Sequence, residues 1–173
     1  MNQTLAPVAP LVQVAPVTPA VPPAPPRIAV ICAQWHREIV HRARDAFLAE
    51  LAREGWPPDR VDHFDVPGAF EIPLQAQRLA RGGRHAAVVA IALVVDGGIY
   101  RHDFVAGSVV DALMRVQLDH DVPVLSVVLT PKEFHEHEEH RRFFAEHFVK
   151  KGVEAAHACL ASIAAPNEIS AAI

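Results

Sequence analysis

The sequence predicts an α/β fold, a three-layer α/β/α sandwich on a four-stranded parallel sheet. Two observations carry that expectation. Residues 86–95, AAVVAIALVV, are all apolar and end sharply at Asp96-Gly97-Gly98. A short apolar run bounded by turn residues suits a strand buried on both faces, the central strand of a parallel sheet. On either side of it, short β-rich runs alternate with helical patterns in the order β-α-β-α-β-α-β-α. That alternation implies parallel strands joined by helices that cover both faces.

Each element has its own signal. Residues 27–32, RIAVIC, read as the first strand. A helix follows from about 37 to 54, with Ile39, Ala43, Ala46, Phe47 and Leu51 on one face and Gly55 as its stop. Residues 61–66, VDHFDV, alternate polar and apolar, which suits an edge strand. Pro67-Gly68 turns the chain into a second helix over 69–81, closed by Gly82-Gly83. The 86–95 strand comes next. A third helix is expected from about 103 to 118, with Val105, Val109, Leu113 and Val116 on one face. Residues 122–130 read as the fourth strand. Residues 132–165 read as helical, in two pieces divided at Lys151-Gly152.

Before this domain, residues 1–26 hold eight of the fifteen prolines. Proline fixes φ and removes a donor, so this segment is expected to be a flexible or polyproline-like extension, or an arm laid on a neighbouring subunit. The expected division is an extension at 1–26, the α/β domain at 27–165 and a tail at 166–173.

Composition narrows the function. The chain has 173 residues, 51% of them hydrophobic, enough for one domain with a proper core. The net charge is −4, with the basic residues scattered, which argues against a nucleic-acid partner. Cys32 and Cys159 stand in apolar contexts without CxxC spacing and read as reduced core thiols, hence a cytoplasmic protein. No apolar run is long enough to span a membrane, and the start of the chain lacks the pattern of a secretory signal.

In a parallel sheet of this kind, ligands bind outside the carboxyl ends of the strands. Four segments are expected there: 33–36, 67–71, 96–102 and the residues after Thr130. Trp35 can stack on a flat heterocycle or merely cover a helix. Glu71 can accept from a polyol or simply complement a helix N-terminus, with the backbone of Ala69 and Phe70 lining the pocket. Gly97 and Gly98 before a helix make a phosphate cradle, although neither GxGxxG nor GxxxxGK[ST] occurs. Arg101 suits holding phosphate, while His102 suits moving protons. The run FHEHEEHRR at 134–142 contains histidines and carboxylates, but HExxH would need histidine where Glu139 stands. It reads as a solvated helix face, and no metal site is expected. No GxSxG occurs, so nucleophilic catalysis has no support.

VPGAFEIP at 66–73 is a specific string. Together with Asp96-Gly97, Asp103-Phe104-Val105, Val122-Pro123-Val124 and GVEAAHA at 152–158, it resembles the lumazine synthases of riboflavin biosynthesis, from about residue 27 to 163. The resemblance implies a flavodoxin-like fold and a cofactor-free condensation. In it, 5-amino-6-(D-ribitylamino)uracil and 3,4-dihydroxy-2-butanone 4-phosphate give 6,7-dimethyl-8-ribityllumazine, phosphate and water.

Carried over by position, Trp35 stands where the family stacks an aromatic on the pyrimidine. Ala69, Phe70 and Glu71 match the segment that binds the ribityl-uracil, and Leu93, Val94 and Val95 the strand end beside the ring. Gly97 and Gly98 match the phosphate-substrate loop. Three places depart from the family pattern. DGGIYRHDFV replaces RGETPHFDYV, so the family's proton-donating histidine falls on Arg101, with His102 one place on. Ser126 replaces a phenylalanine. GTKAGNKG is absent, which brings the phosphate-binding arginine to His140, beside Arg141 and Arg142. These departures resemble a second bacterial class whose members are decamers of two pentamers, with active sites between neighbouring subunits. A low-activity paralogue that binds flavin or lumazine is the alternative reading.

Overall fold

A computed structural model describes residues 25–96, 101–135 and 137–172, with side chains described through 165. Four strands, β1 (Arg27–Ala33), β2 (Val61–Val66), β3 (His85–Leu93) and β4 (Val124–Leu129), form one parallel sheet in the order β2-β1-β3-β4. Between them run α1 (Arg37–Arg53), α2 (Ile72–Arg81) and α3 (His102–His120), and α4 (Glu138–Ala172) follows β4.

The alternation of side chains along β1 and β3 builds two cores at once. Ile28, Val30, Cys32, Val89 and Ile91 point to one face and meet Ile39, Phe47 and Phe148 of α1 and α4. Ala29, Ile31, Ala33, Val88, Ala90 and Ala92 point to the other and meet Ile72, Ala76, Val109 and Leu113 of α2 and α3. The small residues on that second face let α2 and α3 lie close to the sheet. The first crossover steps to one side and places α1 on one face. The later crossovers step the other way and place α2 and α3 on the opposite face, as right-handed connections require. The flavodoxin-like three-layer architecture expected from the sequence is the one observed.

At the amino edge, Arg27 Nε donates to Asp62 Oδ2 at 2.7 Å, and His85 Nε2 lies 2.9 Å from the same oxygen. One carboxylate thus ties the starts of β1 and β3 to β2, and the Arg27 guanidinium holds it well below the usual carboxylate range.

Three elements differ from expectation. The last helix is not divided at Lys151-Gly152 but runs unbroken through it to Ala172. Gly152 is in the helix because α1 passes so close: a Cβ there would overlap the Ala43 carbonyl oxygen and stand 2.9 Å from its carbon. The helix also starts at Glu138, so Phe134 is not on a solvated helix face but packs half-buried against the core. The second helix begins with a 3₁₀ turn, Ala69–Glu71, before α2 proper. Finally, β4 starts at Val124, because Pro123 has no N–H and contributes only its carbonyl, which accepts from Val88 N at 2.9 Å.

Candidate active site at the carboxyl edge of the sheet

Strand order reverses between β1 and β3, and the crevice at that switch point opens at their carboxyl ends. Gln34 N donates to Val66 O at 3.0 Å, and Val94 N to Leu129 O at 2.9 Å. These two bonds bring the exits of all four strands to one rim.

Trp35 leaves β1 onto this rim and is 72% exposed. The turn depends on His36, which adopts left-handed angles, φ 51° and ψ 40°, and whose carbonyl accepts from Ile39 N and Val40 N. Gly68 lies beneath the indole: a Cβ there would sit 3.8 Å from Trp35 Cε2 and 3.2 Å from Glu71 Oε2. That space lets the Glu71 carboxylate fold back and accept from Gly68 N at 2.9 Å. Ala69 is buried and Phe70 is 67% exposed beside them. Leu93 and Val94 are buried, and Val95 is half-buried against the core. Trp35, Ala69, Phe70, Glu71, Leu93, Val94 and Val95 therefore share the edge.

Across the crevice, α3 begins at His102, which is half-buried. Arg101 caps that end, with its guanidinium 2.7 Å from Asp103 Oδ2 and its Cζ 4.2 Å over the Phe104 ring. The pairing raises the Arg101 pKa and lowers that of Asp103. Gly97 and Gly98 lie outside the described residues.

Two candidates lie on β4 and α4. Ser126 is in mid-strand, paired in register with Ala90, and lines a groove of about 360 Å³ between β4 and α4 with Leu129, Lys151 and Ala155. His140 lies in the first turn of α4, where its Nδ1 accepts from His135 N at 3.3 Å. Its ring is 5.1 Å from that of His135 and 6.2 Å from that of Phe144. Arg141 next to it pairs with Glu38 at 2.8 Å.

Sequence reasoning placed 33–36 at this edge without a role for His36 and read Phe134 as part of a solvated run, whereas their rings meet edge-on at 5.2 Å. Only the cap position after Trp35 hinted at the first, and nothing local hinted at the second.

Among the described residues, one group brings three possible metal ligands together: Glu50, Glu54 and His157, with ligand atoms within 4.8 Å of one another. It lies at the far end of α1, and Glu50 is already held by Arg53 and His157. Both cysteines are buried and free, with burial pushing each thiol up to about 12. No helix among the described residues is long and apolar enough to cross a membrane.

An open parallel sheet with an exposed indole, a folded-back carboxylate and a helix N-terminus at its carboxyl edge defines a flavodoxin-like protein. Residues 25–167 match the family described as 6,7-dimethyl-8-ribityllumazine synthase, and the chain belongs to that family. It is 66% identical over 137 residues to the 6,7-dimethyl-8-ribityllumazine synthase of Rhodococcus erythropolis, covering 79% of this chain and 88% of the relative. It is 59% identical over 133 residues to the 6,7-dimethyl-8-ribityllumazine synthase 2 of Pseudomonas syringae pv. tomato, covering 77% and 78%. The synthase 2 of Bradyrhizobium diazoefficiens is 57% identical over 133 residues, covering 77% and 79%. The relatives named synthase 2 accord with the resemblance to a second bacterial class.

Proposed function

We propose that this chain condenses 5-amino-6-(D-ribitylamino)uracil with 3,4-dihydroxy-2-butanone 4-phosphate to 6,7-dimethyl-8-ribityllumazine, with loss of phosphate and water. The observation that carries the reading is the placement of Trp35 over Gly68, with Glu71 folded onto the Gly68 N–H. An exposed indole at the end of a buried strand is a plate for the pyrimidine. Glu71 spends Oε2 on the backbone and offers Oε1 to a ribityl hydroxyl.

The reaction needs little beyond positioning and proton movement. The uracil amine attacks the ketone and water leaves. Phosphate is then eliminated, and the ribitylamino nitrogen adds to the remaining carbonyl to close the ring, with loss of a second water. Arg101 stays charged and is anchored by Asp103, which suits it to the phosphate. His102, at the start of α3, is the group suited to passing a proton to and from the reacting atoms. Leu93, Val94 and Val95 close the apolar side of the ring pocket, and the Gly97-Gly98 loop receives the phosphate.

The assembly is a homo-oligomer, a pentamer or a decamer of two pentamers, with the site completed between neighbours. The outer face of α3 supports this, with Val110, Met114 and Leu118 exposed, as are Phe70 of the 3₁₀ turn and Leu74 of α2. β4 is also an edge strand, and Ser126 in its middle lines the groove beside α4, where a neighbour's edge can use it. The buried, reduced thiols fit a cytoplasmic enzyme.

Mixing the purified protein with both substrates and following the absorbance of the lumazine tests the reaction. Enzyme-dependent product at a saturable rate is expected. Tight binding of lumazine or flavin without turnover would replace this reading with that of a binding protein.

A further inference from the structure

The two halves of the sheet edge meet at one residue. His36 directly follows Trp35 and holds a left-handed conformation, φ 51°, which is uncommon outside glycine although Asn, Asp and His enter it more readily than other side chains. Its ring stands edge-on to Phe134 at 5.2 Å, and Phe134 packs on Phe144 of α4 at 5.5 Å. Nearby, Arg141 of α4 pairs with Glu38 in the first turn of α1 at 2.8 Å. A ring contact and an ion pair thus join the start of α1 to the chain that follows β4.

We propose that His36 is a positioning residue for the reaction: its backbone aims the Trp35 ring, and its side chain, through Phe134, ties that plate to the segment after β4. This rests on the reading of Trp35 as the stacking plate. A left-handed residue persists only where its surroundings over-determine it. Here the Phe134 contact does so from the segment that follows β4. Without it, the turn relaxes toward an ordinary cap and the indole swings away from Gly68. His36 touches no reacting atom, so its loss acts on substrate capture more than on chemistry.

A double-mutant cycle tests this, using His36→Ala, His36→Asn, Phe134→Leu and the Ala/Leu double. The readouts are KM and kcat, together with Trp35 fluorescence in a Trp56→Phe background, since the chain has two tryptophans. His36→Ala is expected to raise KM for the ribitylaminouracil about five- to ten-fold with a smaller change in kcat. His36→Asn, which tolerates the left-handed turn, recovers most of that loss. Phe134→Leu adds nothing once His36 is alanine. Trp35 emission shifts in the same variants. Unchanged KM and emission in His36→Ala, or independent multiplicative effects of the two sites, would overturn the proposal. If the unmodified protein does not turn over, the proposed reaction fails on its own. Emission then decides the coupling: a shared shift supports it, and separate or absent shifts overturn it.

Discussion

Gly152 of α4 rests on the backbone of Ala43 in α1, so close that a Cβ at 152 would stand 2.9 Å from the Ala43 carbonyl carbon and 3.0 Å from its Cα. The obstacle is main chain, which cannot rotate aside. Gly152→Ala must therefore push the two helices apart across the core that holds Phe47 and Phe148. A cost of about 2–3 kcal/mol is expected for such overpacking. Thermal unfolding should show the midpoint falling by roughly 4–12 °C. An unchanged midpoint would mean that α1 and α4 are not in this contact.

The same helix pair carries a pH dependence. Glu50 is buried, bonded by Arg53 Nε at 2.9 Å and by His157 Nε2 at 2.5 Å. The Arg53 guanidinium, with His157 behind it, pulls the carboxyl from its ordinary 4.5 down to about 2. A depressed folded-state pKa means that the unfolded chain takes up the proton first as pH falls. The stabilisation is full above about pH 5 and is lost progressively as pH falls from there towards 2. Urea unfolding at pH 6, 4 and 3 should show Glu50→Gln well below the unmodified protein at pH 6 and converging with it at pH 3. A gap that stays constant with pH would contradict this.

Gly68 separates fold from site. Its φ of −147° is extended backbone that any residue adopts, so Gly68→Ala should leave the melting temperature nearly unchanged. The new Cβ crowds Glu71 Oε2 and approaches the Trp35 ring. KM for the ribitylaminouracil should rise about five-fold, by loss of substrate positioning. Steady-state kinetics beside a melting curve checks both halves.

Arg101 and His102 should fail in different ways. His102→Ala removes the group that moves a proton and should lower kcat about a hundred-fold. Arg101→Ala should instead raise KM for the butanone phosphate about ten-fold, since one charged anchor for phosphate is lost. Kinetics with each substrate varied in turn distinguishes the two. The opposite pattern would exchange the roles.

Much of the fold was legible because burial writes itself into period. Residues 86–95 could hardly be anything but an inner strand, and the apolar faces of α1 and α3 are where their spacing put them. The break expected at Gly152 failed for a specific reason: a glycine that ends helices elsewhere is here a point of close helix contact. The rim positions of Trp35 and Glu71 follow from strand order and the turn residues. The His36–Phe134 and Glu50–His157 pairs could not be read, because each joins residues about a hundred positions apart and leaves no periodic trace.

The most direct test of the account measures phosphate release and lumazine formation together, in the unmodified protein and in Trp35→Ala. The account predicts one phosphate for each lumazine in the unmodified protein, and a strongly raised KM for the ribitylaminouracil when the indole is removed. Phosphate without lumazine, or full activity without Trp35, would contradict it.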